Sequence, residues 1–308
     1  MRRPYSKRGR TEVALPLRPA RGYRLDIGYR ERILACHRAN LSVFVPWSIT
    51  TRVVGWVHHD RVSLLVEASP AFTASPSGVR LSGHDAAART QALTEAIDRL
   101  GRAGELRAPL GEPYAVLDRA THEPLAVVDR VAVPWLGLLA RGVHLNGYVR
   151  TPTGPQLWIA RRATGKRTFA GHLDNVVAGG QAAGYDARQT LVKECAEEAG
   201  IPSVLAERAV PVGSIGYVQQ DGASLKVDLL ACFDLELPAG FVPRPVDGEV
   251  ESFELWPAAV VAASLRGDDP WKPNCALVAL DFLLRHGRLD SELDAGERHR
   301  LWRSLHGG

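Results

Sequence analysis

The chain has 308 residues, 45% of them apolar and 23% charged, with a formal net charge of +4. That composition is ordinary for a soluble globular protein and long enough for two domains with buried cores. It excludes a membrane-spanning helix, because no run reaches the roughly 18 consecutive apolar residues one needs. The first 24 residues carry eight Lys/Arg and one acid, about +7, so the remainder is near −3. A basic arm on a slightly acidic body is not the footprint of a nucleic-acid-binding domain. Residues 1–22 lack apolar periodicity and read as a disordered, solvated arm that catalysis can do without. No apolar stretch follows the first basic residues, as a signal peptide would require. The four cysteines (Cys36, Cys195, Cys232, Cys275) form no CxxC pair, which fits a reducing cytoplasm and argues against a zinc ribbon or disulfide framework. Only five basic residues are lysines, a compositional bias that removes weight from individual arginines.

From Tyr23 to about Asn40, Leu25, Ile27, Ile33, Leu34 and Cys36 alternate with charges and predict a short helix. Ser42–Pro46 and Thr51–Val57 are rich in valine and predict extended chain. Ser69-Pro70 and Ser75-Pro-Ser-Gly78 mark turns. His84–Arg102 has apolar residues at helical spacing, with Gly101 near its end. Short strands are expected at Tyr114–Leu117 and Leu125–Val131. A second pattern starts near Val133. Val143–Val149 and Gln156–Arg161 form a predicted hairpin across the turn Thr151–Pro155. A glycine-bearing loop and a helix at Arg188–Ala199 follow. Strands are expected at Val210–Val218, Leu225–Leu235 and Glu249–Trp256, then an apolar helix at Asn274–His286. The order is α+β rather than alternating βαβ. The expected divisions are a tail 1–22, an N-terminal α+β domain 23–135, a second domain 136–290 and a helical tail 291–308.

The informative segment is Ala178–Ile201, AGGQAAGYDARQTLVKECAEEAGI. Asp186 with Gln189 three residues on is a capping-box start, and Gly200 suits a helix C-terminus. Leu191, Val192 and Cys195 can pack inward. Glu194, Glu197 and Glu198 stand at i, i+3 and i+4, so they share one helical face. Like charges so placed repel, and a basic side chain or a hard cation with oxygen ligands is expected among them. A bare ExxEE would read as a solvated acidic face. The glycine loop in front of it points elsewhere.

This segment resembles the Nudix signature, G-x5-E-x7-R-E-U-x-E-E-x-G-U, where U is a bulky aliphatic. Aligned on the glutamates, Gly179 takes the first glycine position, and Glu194, Glu197, Glu198, Gly200 and Ile201 fall on theirs. Tyr185, Lys193 and Cys195 depart from it. In the family the early glutamate often fixes the loop against the arginine, so losing both partners together is self-consistent but leaves loop rigidity open. Further runs, Gly142–Tyr148, Leu173–Asn175 with Val177–Gly180, Asp247–Val250 and Asn274–Leu277 with Asp281–His286, are similar to the thiamine pyrophosphokinase-related Nudix branch with an extra N-terminal domain of unknown function. The resemblance implies a Nudix α/β/α sandwich with a mixed sheet, preceded by the smaller α+β domain. It also implies a hydrolase of a diphosphate linkage that uses Mg²⁺, with Mn²⁺ as a substitute; the cysteine usage above makes the expected compartment the cytoplasm. The implied ligands are Glu194, Glu197, Glu198 and the Gly179 carbonyl. Glu249, Glu251 and more weakly Asp247 are options for a further catalytic carboxylate. Arg161, Arg162, Asn175 and Gly180 are candidates for substrate contact, with Lys166 and Arg167 also on the approach. Thiamin diphosphate or its oxidised analogues is the expected substrate. A nucleoside-diphosphate derivative such as ADP-ribose or NADH and a non-catalytic ligand-binding module are the alternatives. No nucleic-acid or membrane partner is expected, and a homodimer is left open.

Overall fold

Two sheets and a hairpin organise residues 28–306, the part of the chain that the computed structural model describes. The basic arm 1–22 and the apolar Leu25 and Ile27 lie outside the described residues. The chain opens with helix α1 (Gly28–Cys36). It then builds a four-stranded sheet from β1 (Phe44–Ile49), β2 (Arg52–His58), β3 (Phe72–Ser75) and β4 (Gly78–Leu81), in the order β2-β1-β4-β3. Helix α2 (Val62–Ala68) and the longer α3 (Ala86–Arg102) cover that sheet, and a hairpin of β5 (Pro113–Leu117) and β6 (Pro124–Asp129) packs beside α3. Ala92, Leu93, Ala96, Ile97 and Leu100 form the buried stripe of α3, at the spacing that one helical face requires. Trp47 is fully buried among them, and its indole donates to the Leu136 carbonyl at 2.8 Å.

The larger sheet is mixed. Its strands are β7 (Leu139–Thr151), β8 (Gly154–Arg162), β9 (Leu173–Asp174), β10 (Val177–Gly180), β11 (Val210–Asp221), β12 (Ser224–Glu236) and β13 (Val250–Pro257). The path runs β11-β12-β7-β8-β13, with β10 on β7 and β9 on β8. Strands β7 and β12 pair in parallel, and the other pairs are antiparallel. Helix α4 (Ala187–Ala199) and the short α5 (Ser203–Ala206) pack on one face around Leu191, Cys195 and Ile201. Helices α6 (Ala258–Arg266), α7 (Pro273–Arg285) and α8 (Ala295–His306) pack on the other, and α7 buries Cys275–Leu283 almost without interruption. The result is an α/β/α sandwich preceded by a smaller α+β unit.

Helix α1 joins the layer of α6, α7 and α8, not the sheet that follows it. Tyr29, Ile33 and Cys36 are buried there. The Tyr29 hydroxyl donates to Glu292 at 2.9 Å, and Arg32 donates to the carbonyls of Leu265, Gly267 and Asp269. A separate apolar cluster of Phe44, Leu117, Leu139, Leu225 and Val227 joins the two sheets.

Three expectations differ from the structure. Residues 72–81, read only as turns, form the short hairpin β3–β4. Its four-residue strands are too brief to show alternation, and the Ser-Pro-Ser-Gly run supplies the turn between them. Helices α2 and α6 have no counterpart among the expected elements. Both are apolar segments of nine residues or fewer that packing, not propensity, makes helical.

Candidate active site

Helix α4 begins with the capping box Asp186–Gln189, both reciprocal hydrogen bonds being present, and ends at Gly200 in the left-handed region (φ 61°). This register aims Glu194 and Glu198 at β10 and leaves Glu197 outside. Glu198 is 7% exposed and accepts from the Ala178 amide at 2.9 Å. Glu194 lies so close beneath Gly179 that a Cβ there would collide with its carboxylate. Across the ladder, a Cβ on Gly142 would stand 3.0 Å from the Gly179 carbonyl oxygen. Two glycines therefore clear the space around residue 179. The cation expected among the glutamates is Lys193, which donates to Glu194 at 3.2 Å and Glu197 at 2.5 Å.

Burial drives the Glu198 carboxyl from an ordinary 4.5 up to about 8; the Ala178 amide opposes the rise, and Asp174 and Glu194 add to it. Burial also raises Glu194, against Lys193 and with the push of Glu197 and Glu249. The donor set is all oxygen and carries excess negative charge, which suits a hard divalent cation. A stability consequence follows. The folded chain keeps a proton on Glu198 that the unfolded chain loses above its ordinary pKa, so stability falls as pH rises between 4.5 and about 8. Thermal melts of metal-free protein across this window should show a shallower decline in Glu198→Gln than in wild type. Equal slopes would mean that Glu198 ionises freely in the fold.

Of the later carboxylates, Glu249 is the one that acts electrostatically on the acidic face. It pairs with Lys166 at 2.8 Å, and its charge acts on Glu194. Glu251 is the extra residue of a bulge in β13, exposed and without an ion pair among the described residues. Asp247 accepts from the Glu249 amide and shapes that turn. Arg161 is 36% exposed, donates to the Gly171 carbonyl and lies 3.9 Å from Glu254. Arg162, expected to touch substrate, is instead turned inward at 11% exposure and bonded to Asp174 at 2.9 Å. Asn175, also expected there, is buried, with its side-chain oxygen 2.8 Å from His144 Nδ1. Asp174 further meets Lys272 at 3.3 Å and the Cys275 thiol at 2.6 Å. Although burial opposes it, Lys272, Cys275, His144 and Arg162 hold the Asp174 carboxyl below the usual range. Burial and Lys272 lower His144 to about 4, so the ring is neutral at ordinary pH. His144, Asp174 and Cys275 could by distance hold an ion. Asp174 already meets two cations, so the cluster acts as a brace behind Glu198. Trp158 and Tyr217 pack in the cores of the sandwich, and the Tyr217 hydroxyl donates to Asp228.

Loop 181–186 keeps its shape without the signature's Glu–Arg pair. The Gln181 side chain donates to the Tyr185 carbonyl at 2.6 Å, and the Ala183 amide donates to the Pro113 carbonyl of β5 at 2.8 Å. The second bond comes from the smaller unit, which also places Tyr114 against Gly180. Nothing in the sequence singles out Tyr114, an aromatic residue in a short strand far from the signature.

Residues 29–140 match the model of a domain of unknown function, DUF4743. The chain is 39% identical over 278 residues to "Nudix hydrolase 20, chloroplastic" of Arabidopsis thaliana, covering 86% of this chain and 74% of that protein. It is 38% identical over 271 residues to "Nudix hydrolase 24, chloroplastic" of the same plant, with the same shares covered. A crystal structure of DR0079 from Deinococcus radiodurans overlays 54% of this chain and 97% of its own with a TM-score of 0.42 at 21% identity. A carboxylate helix packed on a glycine strand in an α/β/α sandwich, together with 39% identity to a relative of which the chain covers 74%, defines the class: the chain belongs to the Nudix hydrolase family. It is a pyrophosphohydrolase, an enzyme that splits phosphorus anhydrides.

Proposed function

We propose that the chain is a Mg²⁺-dependent hydrolase that converts thiamin diphosphate, or an oxidised analogue, to the monophosphate and inorganic phosphate. The observation that carries the chemistry is the approach of Glu194 and Glu198 to the cleared backbone at Gly179. Glu194, Glu197, Glu198 and the Gly179 carbonyl would hold the ion, with Mn²⁺ able to replace it. Bound there, the ion supplies charge neutralisation on the phosphate oxygens and makes water a better nucleophile. Glu198 is fixed by the Ala178 amide, Lys193 keeps Glu197 and Glu194 together, and the Asp174 brace holds β9 against α7. Glu249, tethered by Lys166 and acting by its charge on Glu194, would take the proton from water; Glu251, on the bulge, has no such tether among the described residues. Arg161, partly exposed at the end of β8, is available to the diphosphate.

The substrate assignment rests on the branch resemblance. Residues from its runs meet in one network, His144, Asp174, Asn175 and Cys275 buried and Asn274 partly so. They support membership of the branch through the brace they build, not through contact with a ring. The test is a competition at equal concentrations with Mg²⁺ among thiamin diphosphate, its oxidised forms, ADP-ribose and NADH, with products separated by chromatography. The expected winner by kcat/KM is a thiamin compound, giving monophosphate plus phosphate. If an adenine-containing substrate wins and releases two organic phosphates, the thiamin reading is wrong and the pyrophosphohydrolase stands.

A further inference from the structure

A diphosphate brings more negative charge to the acidic face of α4 than a metal at that face meets alone, so a cation is needed on the facing wall. Apart from Arg161, which lies 3.9 Å from Glu254, the large sandwich offers few free ones. Arg162 and Lys272 are committed to Asp174, Lys193 to Glu194 and Glu197, and Lys166 to Glu249. The smaller unit supplies one. Its β5–β6 hairpin ends at Arg130, and a Cβ built on Gly180 would meet the Tyr114 hydroxyl and stand 4.0 Å from the Arg130 guanidinium carbon. Arg130 Nη1 donates to Glu112 at 2.7 Å, and the guanidinium lies 5.9 Å from the centre of the Tyr114 ring. Arg130 Nε and Nη2 and the Tyr114 hydroxyl have no hydrogen-bond partner among the described residues.

We propose that Arg130 and Tyr114 form a phosphate-binding subsite, contributed by the smaller unit, that grips the diphosphate of the substrate across the cleft from Glu194 and Glu198.

Several observations favour a built site over a surface ion pair. Arg130 is 51% exposed and Glu112 46%, and a pair so open to water contributes little to stability. Yet the fold fixes it from two sides. The Arg130 amide donates to the Glu112 carbonyl at 2.9 Å. Asp129, next to Arg130, accepts from the amides of Leu110, Gly111 and Val131, which clamps the segment bearing Glu112 to the hairpin end. The body of Tyr114 is buried, so its hydroxyl is held at the glycine strand by the core of the smaller unit. Gly180, which Tyr114 and Arg130 approach, follows directly on the Gly179 that Glu194 underlies, and Tyr114 accordingly feels the charge of Glu194, and Arg130 that of Glu249. A planar guanidinium with Nε and Nη2 open matches two phosphate oxygens. Glycine at 180 makes the approach feasible, because any side chain there would displace the tyrosine.

The inference rests on the diphosphate chemistry proposed above, and the experiment separates the two. The full chain is titrated by calorimetry with methylenediphosphonate, a P–C–P diphosphate that cannot be hydrolysed, in the presence of Mg²⁺. KM and kcat are measured with thiamin diphosphate or whichever diphosphate the wild type prefers. Arg130→Ala should weaken diphosphonate binding about tenfold to a hundredfold, the scale of a charge-assisted hydrogen bond. It should raise KM by a similar factor with a smaller change in kcat, and Arg130→Lys should recover part of the loss. Glu112→Gln removes the same ion pair but leaves the guanidinium, so binding should be kept or tightened. Unchanged binding in Arg130→Ala overturns the subsite. So does an equal loss in Glu112→Gln, which would show that the pair matters only for structure. A wild type that binds the diphosphonate but hydrolyses no diphosphate would refute the proposed function while leaving the subsite to stand or fall on the titration. A wild type that does not bind it refutes the subsite.

Discussion

Glu198→Gln should lower turnover by about a thousandfold and leave the fold intact, with Glu197→Gln also costing orders of magnitude. The substituted side chain still offers an amide oxygen to the Ala178 N–H, which Glu198 engages at 2.9 Å, so the contact that docks α4 on β10 survives. What disappears is the negative charge that Glu198 would carry beside a bound metal, at 7% exposure, where an ion is poorly screened by water and acts strongly on a charged transition state. Because burial already pushes this carboxyl up to about 8, the metal-free protein should tolerate Gln as well as or better than Glu. Loss of rate without loss of stability is therefore the signature. Steady-state rates at saturating Mg²⁺ and melting curves on the same samples provide the check. Near-normal rates in both variants would remove the acidic face from the mechanism.

Asp174→Ala should be the most destabilising of the single changes considered, by about 3–5 kcal/mol. Asp174 is 4% exposed and accepts from Arg162 at 2.9 Å, Lys272 at 3.3 Å and the Asn175 amide at 2.8 Å. Truncation leaves two cations with side-chain exposures of 11% and 16% facing each other with no anion between them. Breaking such a group by removing one member is far worse than replacing all of it, since the surviving charges keep their desolvation penalty. Adding Lys272→Met to Asp174→Ala should accordingly recover part of the stability. Denaturant unfolding of the three proteins measures this. A loss below about 1 kcal/mol for Asp174→Ala, the range of an exposed pair, would mean that the cations reach water or other partners.

Much of the carboxylate-bearing helix was legible because its information is local. Asp186, Gln189 and Gly200 specify where α4 starts and stops, and the i, i+3, i+4 spacing then orients Glu194, Glu197 and Glu198. The spacing could not tell that Glu198 is buried and Glu197 exposed, since that depends on where β10 lies. Arg162 and Asn175 looked available for the same reason: their burial depends on α7, which arrives from far along the chain and packs over the neighbouring β9. Glu249 and Glu251 are two residues apart and indistinguishable by pattern. A bulge at Glu251 separates them. Arg130 and Tyr114 left no trace, as no periodicity or spacing links them to a glycine strand some fifty residues or more away.

Helix α1 has a consequence for how the smaller unit is attached. Its first element is packed into the helical layer of α6, α7 and α8, and its exit runs directly into β7 at the centre of the large sheet. The intervening segment is thus a loop with both ends anchored in the same body, topologically an insertion instead of an appended module. A body strung from one linker samples a volume set by that linker, and the local concentration of its side chains at any target is correspondingly low. Anchoring at both ends confines the Arg130 hairpin to the neighbourhood of Gly180 and meets the entropy of bringing it there during folding, so that none of it has to be found again in each catalytic cycle.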